Sequence, residues 1–484
     1  MSIVVASLLL GVMAGISATD SDEADEVRVE PSGVAFVETR ATETVIRGRP
    51  WIPHRRLATV GAGTRLSVRG KVASRDNHGC GGKDWFAVHP FGYVCSGHVR
   101  STTKAPDLQL APELKPGRRL PFRYVRVHTD HVPRYASTLD IKEGSPAGLF
   151  AKGMSLAIDK VVEIEGEPYL LTTAGQWVAR DDVRWLGQGS AWHGVRVSGH
   201  HVGPSFGWIA RNKTRVRVAP QTSAAVVRSL SKRQRVPLLA DNGGQGKGRW
   251  IRIGTDAWVR ASKVNEAVFI DPPDGVFSTA PDTSATHAQW IDVDLGEQVL
   301  VAYRGPAPVF ATLISTGRAH PTPRGNYPIW AKVTSMKMGN QTYEDKPYLV
   351  EGVPWVLLFQ GHNALHGAYW HDAFGVRKSH GCVNLSPMDA RWVFNWALPA
   401  MARGWTGLLP MLARSVVVHV RNSHLAPDER FVQERPVGPP DREEEARRVQ
   451  EAEVRRGADA PRVPMIVPTL DNLLSDSVAP RHDL

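Results

Sequence analysis

The decapeptide Arg377 to Ser386, RKSHGCVNLS, sets Cys382 between His380-Gly381 and Val383-Asn384. A second histidine-rich stretch precedes it: Gly361-His-Asn-Ala-Leu-His366-Gly-Ala-Tyr-Trp-His371-Asp-Ala-Phe-Gly375. A thiol close to imidazoles suits nucleophilic acyl transfer, provided the thiol is activated. An unperturbed cysteine, with a pKa of ~8.5, is only a few per cent thiolate at neutral pH. A helix N-terminus supplies typically ~0.3–1 kcal/mol, less than the ~1.36 kcal/mol of one pKa unit, so a dipole alone does not suffice. A histidine partner supplies both charge and proton transfer. Gly381 lets the backbone come close, so that amides around Cys382 can face a developing oxyanion.

Two other uses of these residues compete. A lone cysteine is commonly a buried small hydrophobe, but His-Gly on one side and Asn384 on the other are poor company for a core position. His362, His366, His371 and His380 with Asp372 offer zinc ligands, but their spacing lacks the HExxH pattern, and the reading calls for no metal and no cofactor. His362 and His371 read as loop or supporting residues, and Tyr369 and Trp370 as walls of a cleft or core.

The elements that must position these groups read as β. Ile291, Val293 and Leu295 alternate with Asp292 and Asp294, Gly296 turns, Val299 to Tyr303 returns, and Val309 to Ile314 follows another turn. A glycine- and proline-rich loop spans Ser315 to Tyr327, and Trp355 to Phe359 predicts a buried strand. Ser386-Pro-Met-Asp389 has a capping serine, a first-turn proline and an acid three residues after the cap, so a helix starts there with Ala390, Val393, Phe394 and Ala397 on one face. Cys382 therefore lies in a loop between strands and a short helix.

His366-Gly, the short spacer to Ser379-His-Gly-Cys-Val-Asn384, Ser315-Thr-Gly and Thr322-Pro-Arg-Gly325 together closely resemble the YkuD-type L,D-transpeptidases over about residues 288 to 421. The resemblance implies a β-sandwich catalytic domain acting on peptidoglycan stem peptides. By position it makes Cys382 the nucleophile and His366 the proton acceptor and donor, with the Gly367 carbonyl orienting the imidazole. His380, Gly381 and Cys382 would lend amides to an oxyanion hole, while Ser379 and Asn384 brace the loop and His380 also contacts substrate. Gly367 stands where some members have serine, a departure of little weight because the carbonyl is the working group. The implied acceptor is a neighbouring diaminopimelate, a lipoprotein lysine or water, the last giving L,D-carboxypeptidase action. A non-catalytic wall-binding protein and a cysteine hydrolase of another polymer are the alternatives.

Upstream, one pattern recurs: Tyr93 to Val99, Trp177 to Val183 and Trp258 to Val264 repeat a six-residue step from aromatic to valine, preceded by Trp85, Tyr169 and Trp250. These strand-rich units resemble bacterial Src-homology-three-like domains, implying small β-barrel modules at 58–100, 120–186 and 205–267. Cys80 and Cys95 fall in the first unit and are the disulfide candidates if the chain is exported; metal binding is the competing use, without a second CxxC pair to support it. Pro-rich linkers are expected at Lys104 to Pro121 and Glu266 to Ala288.

Residues 1–18 are apolar, end in small residues and precede an acidic stretch, which fits a signal peptide apart from its missing basic start. That predicts export to a periplasm or cell envelope. Residues 19–57 read as linker and 422–484 as a charged flexible tail, with a solvated helix over Asp441 to Arg456. No stretch has the roughly 20 apolar residues of a stable transmembrane span. The net charge of +11 favours anionic surroundings, but the basic residues read as spread through the chain. Without a recognition motif among them, nucleic acid is set aside as a partner.

Overall fold

The computed structural model describes residues 27–451 apart from 42, 53–54, 74–79, 107–113, 199–202, 275–287, 319–320, 340–347, 442, 445 and 448–449. The expected signal peptide (1–18), the latter part of the Glu266–Ala288 linker and the end of the tail (452–484) lie outside the described residues. The chain is mainly β, with one helix of ten residues, Pro387–Trp396, directly after the cysteine loop. No helix among the described residues is long and apolar enough to cross a membrane.

The domain that carries Cys382 is a sandwich of two sheets. One has the strand order Val195–Arg196, Ala307–Leu313, Val299–Arg304, Gln289–Asp294, Val417–Arg421, Gly325–Pro328. The other contains Ala331–Gly339, Leu349–Gln360, Asn363–Gly367 and Val383–Leu385. Between them Ile291, Val293, Leu300 and Phe310 meet Trp355, Leu357, Phe359 and Leu365, with Ala390, Val393 and Phe394 of the helix against the same core. Each Val, Leu, Ile or Phe among them contributes about 1.5–3 kcal/mol on burial. The helix begins at its capping serine: Ser386 Oγ accepts the Asp389 amide at 3.2 Å.

The alternation in Gln289–Asp294 predicts one polar face, yet this strand is buried on both sides from Trp290 onward. Arg421, on the neighbouring parallel strand, accounts for it. Its Nη2 lies 2.9 Å from Asp292 Oδ2 and its Nη1 2.8 Å from Asp294 Oδ2, so the buried carboxylates are paired. The outer face then accepts Trp208, Ala267 and Phe269 of the third unit over Trp290, Val301 and Tyr303.

The three repeated sequences share one local structure. In each, the leading aromatic lies on a strand and pairs in register with the residue ten positions later: Trp85 with Cys95, Tyr169 with Ala179, Trp250 with Arg260. The second strand then runs into a single 3-10 turn, at Ser96–His98, Arg180–Asp182 or Ala261–Lys263, and the valine that closes the pattern starts the next strand, buried in every copy. Among the described residues no sheet closes into a barrel. Cys80 and Cys95 form a disulfide, with Cα atoms 5.4 Å apart.

The boundaries differ from the sequence reading in two places. Residues 19–57 include the strands Phe36–Thr39 and Glu43–Arg47, which pair with Arg65–Val72, Val99–Thr102 and Arg56–Gly61 of the first unit. Both show a buried-inward alternation that the linker reading passed over. The start of the expected tail is packed rather than free. Glu434 pairs with Arg324, Phe431 stacks on His419 at 4.9 Å, and the Gly361 amide donates to the Gly438 carbonyl.

Nor do the units stand apart on linkers. Arg56–Gly61 pairs with Trp405–Leu408, Ser155 bridges to Val350, and Val195–Arg196 extends the first sheet of the sandwich.

Candidate active site

The strand Asn363–Gly367 runs parallel to Val383–Leu385, with His366 opposite Asn384 and Leu365 opposite Val383. Cys382 is the last residue before that second strand, so the two histidine and cysteine segments of the sequence become neighbours through backbone pairing. Cys382 is the chain's free cysteine and is half-buried, against a cluster that includes Tyr124, Tyr369 and Trp370. Its sulfur approaches the His362 carbonyl at 3.7 Å.

His366 is buried, and its Nδ1 lies 3.4 Å from the Gly367 carbonyl. Its ring stacks on Trp370, with centroids 5.7 Å apart. Burial pushes the imidazole down to about 4, helped by His371 and opposed by the Gly367 carbonyl, and pushes the Cys382 thiol up to about 11. At neutral pH the two are an uncharged imidazole and an uncharged thiol.

The cysteine loop is held from within. Ser379 Oγ donates to the Cys382 carbonyl and accepts the Gly381 amide at 3.2 Å. Gly381 has φ 145°, which disfavours a side chain, and its amide is thereby engaged instead of facing outward as the resemblance implied. Thr322 Oγ1 donates to the Gly381 carbonyl at 2.6 Å and accepts the Gly317 amide at 3.0 Å, tying both glycine-containing motifs of the Ser315–Gly325 loop to the cysteine. His380 is exposed, with its ring 4.8 Å from Tyr348.

Asn384 is fixed at its backbone by Ser315 on both sides, at 3.0 and 2.9 Å. Its carboxamide meets His371. Because His371 Nδ1 accepts the Ala373 amide at 3.1 Å, the proton of the neutral ring sits on Nε2. Asn384 Nδ2 lies 2.9 Å from that Nε2 while Oδ1 is buried without a partner. Turning the amide by 180° places the oxygen on that N–H, so that Asn384 accepts from His371.

Several supports come from outside the domain and have no signal in the sequence. Arg126 of the second unit donates to the Trp370 carbonyl at 3.3 Å, and Tyr124 stacks on Tyr369 at 3.7 Å. Asn265 of the third unit donates to the Gly375 carbonyl at 3.0 Å. Among the described residues no three His, Cys, Asp or Glu side chains converge as metal ligands.

Residues 288–418 match the YkuD family, the L,D-transpeptidase catalytic domain, and this segment is that domain. No curated protein matches the chain. Similar solved structures include an L,D-transpeptidase from Xylanimonas cellulosilytica (21% identity, 29% of this chain and 62% of that one, TM-score 0.20). Others are the catalytic domain of the E. faecium L,D-transpeptidase (22%, 28% and 97%, TM-score 0.22) and an L,D-transpeptidase from Mycobacterium smegmatis (18%, 43% and 77%, TM-score 0.23). The chain thus spans about three fifths of the length of the first of these, at 62%.

Proposed function

We propose that the L,D-transpeptidase catalytic domain at residues 288–418 is a cysteine acyltransferase acting on peptidoglycan, with Cys382 as nucleophile and His366 as its base. The observation that carries this reading is the parallel pairing of Asn363–Gly367 with Val383–Leu385, which sets the free thiol at the entry of a strand whose partner bears the buried imidazole. A disulfide would remove the nucleophile, and Cys80 and Cys95 pair with each other instead.

With Nδ1–H directed to the Gly367 carbonyl, His366 presents an unprotonated Nε2. That nitrogen takes the thiol proton as sulfur attacks the carbonyl joining meso-diaminopimelate to the terminal D-alanine of a tetrapeptide stem. The amides of His380 and Cys382 face the oxyanion, since the Gly381 amide is engaged by Ser379. Collapse breaks the amide bond, D-alanine leaves with the proton from His366, and a thioester remains on Cys382. An amine acceptor resolves it: a second diaminopimelate gives a cross-link, and a lipoprotein lysine gives a tether. A peptidoglycan substrate would be met in the cell envelope, which supports a location there.

The test is mass spectrometry of products from a diaminopimelate-containing disaccharide tetrapeptide, with Cys382→Ala as control. A cross-linked dimer with released D-alanine is expected. Tripeptide alone would replace transfer by carboxypeptidase action, and equal turnover by the alanine variant would overturn the assignment.

A further inference from the structure

The basic residues occur throughout the chain, but its net positive charge is concentrated in one segment. Residues 205–269 hold 13 Lys and Arg against 3 Asp and Glu, a net of +10 out of +11 for the whole chain. Two of those three acids are already committed: Asp241 and Glu266 both pair with Arg249. The third, Asp256, lies on the turn between the strands Trp250–Gly254 and Ala257–Arg260.

This charge gathers around a cavity of about 250 Å³ in the third unit, lined by Arg211, Lys213, Arg215, Arg217, Arg260 and Lys263, with no acidic residue in the lining. Buried Trp250 also lines it, with the Arg260 guanidinium over its ring at 5.3 Å. Arg217 is held by its bond to the Ala224 carbonyl. Among the described residues, Arg211, Lys213, Arg215 and Lys263 form no ion pair, whereas Arg249 and Arg233 do. Like charges gathered this closely repel one another, and an oxyanion relieves that repulsion. Guanidinium forks match the planar geometry of a carboxylate. Exposed Arg228, Lys232, Arg235 and Arg252 extend the positive surface beyond the cavity, so a ligand with repeated charges engages more of it than a single ion does.

We propose that this cavity binds the carboxylates of a peptidoglycan strand, anchoring the polymer away from Cys382. The choice of polymer rests on the proposed function; the anion site itself rests on the cavity.

The experiment uses the full chain as Cys382→Ser, so that binding is read without turnover, in co-sedimentation with purified peptidoglycan sacculi. Saturable binding that weakens with salt is expected, and a fall of about tenfold or more in affinity for Lys213→Glu with Arg215→Glu. The charge-conserving pair Lys213→Arg with Arg215→Lys should bind as the parent does. A control reversing two exposed charges in the second unit, Lys152→Glu with Arg184→Glu, should lose far less. An equal loss in that control would reduce the effect to net charge and overturn the site. Absence of sedimentation would overturn it as well. Tighter binding to inorganic polyphosphate than to sacculi would assign the cavity to phosphate polymers and overturn the carboxylate occupant. Product analysis of the Cys382 protein reads the reaction independently, so failure of one reading is distinguishable from failure of the other.

Discussion

Arg233 Nη2 donates to the Asp372 carboxylate at 2.7 Å and to the Asp372 backbone carbonyl at 2.8 Å. Arg233 lies between two strands of the third unit, at φ 69°, and its guanidinium also covers Trp192 at 5.2 Å. Asp372 adjoins His371, whose ring meets Asn384 beside the cysteine loop, and Ser190 Oγ donates to the same carboxylate. A module distant in sequence thus grips the segment that carries the candidate base.

Removing that grip should therefore affect turnover more than folding. Arg233→Ala is expected to lower kcat about tenfold with KM little changed, since small misplacements of reacting groups are costly. The ion pair is partly solvent-exposed, so its loss should cost no more than about 1 kcal/mol. Steady-state kinetics beside a thermal melt separate the cases: a lowered Tm with intact kcat would show Arg233 to be merely structural. Arg233→Lys should recover part of the rate.

Cys382→Ala and His366→Ala should each lower acyl transfer by at least about a thousandfold, and the double variant should fall little further, because the two groups act as a unit. Single-turnover assays with quantified thioester would check this. Multiplicative losses in the double variant would argue that the residues act separately.

The shifts at the site give a definite pH dependence. His366 must be unprotonated to accept the thiol proton, and burial lowers it to about 4, so kcat/KM should hold from neutral pH downward and fall only near pH 4. The thiol is raised to about 11, so alkylation by iodoacetamide should be slow at pH 7 and accelerate as the pH rises toward that value. Fast alkylation at pH 7 would show a preformed thiolate and an imidazolium partner instead.

Lys332 is buried, and its ammonium donates to the carbonyls of Phe394, in the last turn of the helix Pro387–Trp396, at 3.0 Å, and of Ala397 and Pro399 (2.9 Å) just beyond it. Burial pushes it down to about 7, while three acceptors and the helix C-terminus favour the cation. Lys332→Met should destabilise the domain by about 3 kcal/mol, since each orphaned carbonyl costs about 1–3 kcal/mol. A thermal melt unchanged from the parent would show that those carbonyls find other partners.

The sequence by itself determined the catalytic-domain family of residues 288–418 and the local elements around Cys382. The types and spacing of His366, Ser379, Gly381, Cys382 and Asn384, the cap at Ser386 and the strands from Trp290 are all local patterns, carried by side-chain period, turn glycines and a capping hydroxyl. The repeated aromatic-to-valine step likewise marked a local device, a strand pair and a 3-10 turn, because its residues are close in the chain. The tertiary structure decided everything that depends on distant residues meeting. It engaged the Gly381 amide through Ser379, buried Asp292 and Asp294 against Arg421, set Tyr124, Arg126 and Arg233 of separate units around the site, and gathered six cations at one cavity. Such meetings arise from sheet register and packing, which bring together residues whose separation along the chain carries no periodic signal.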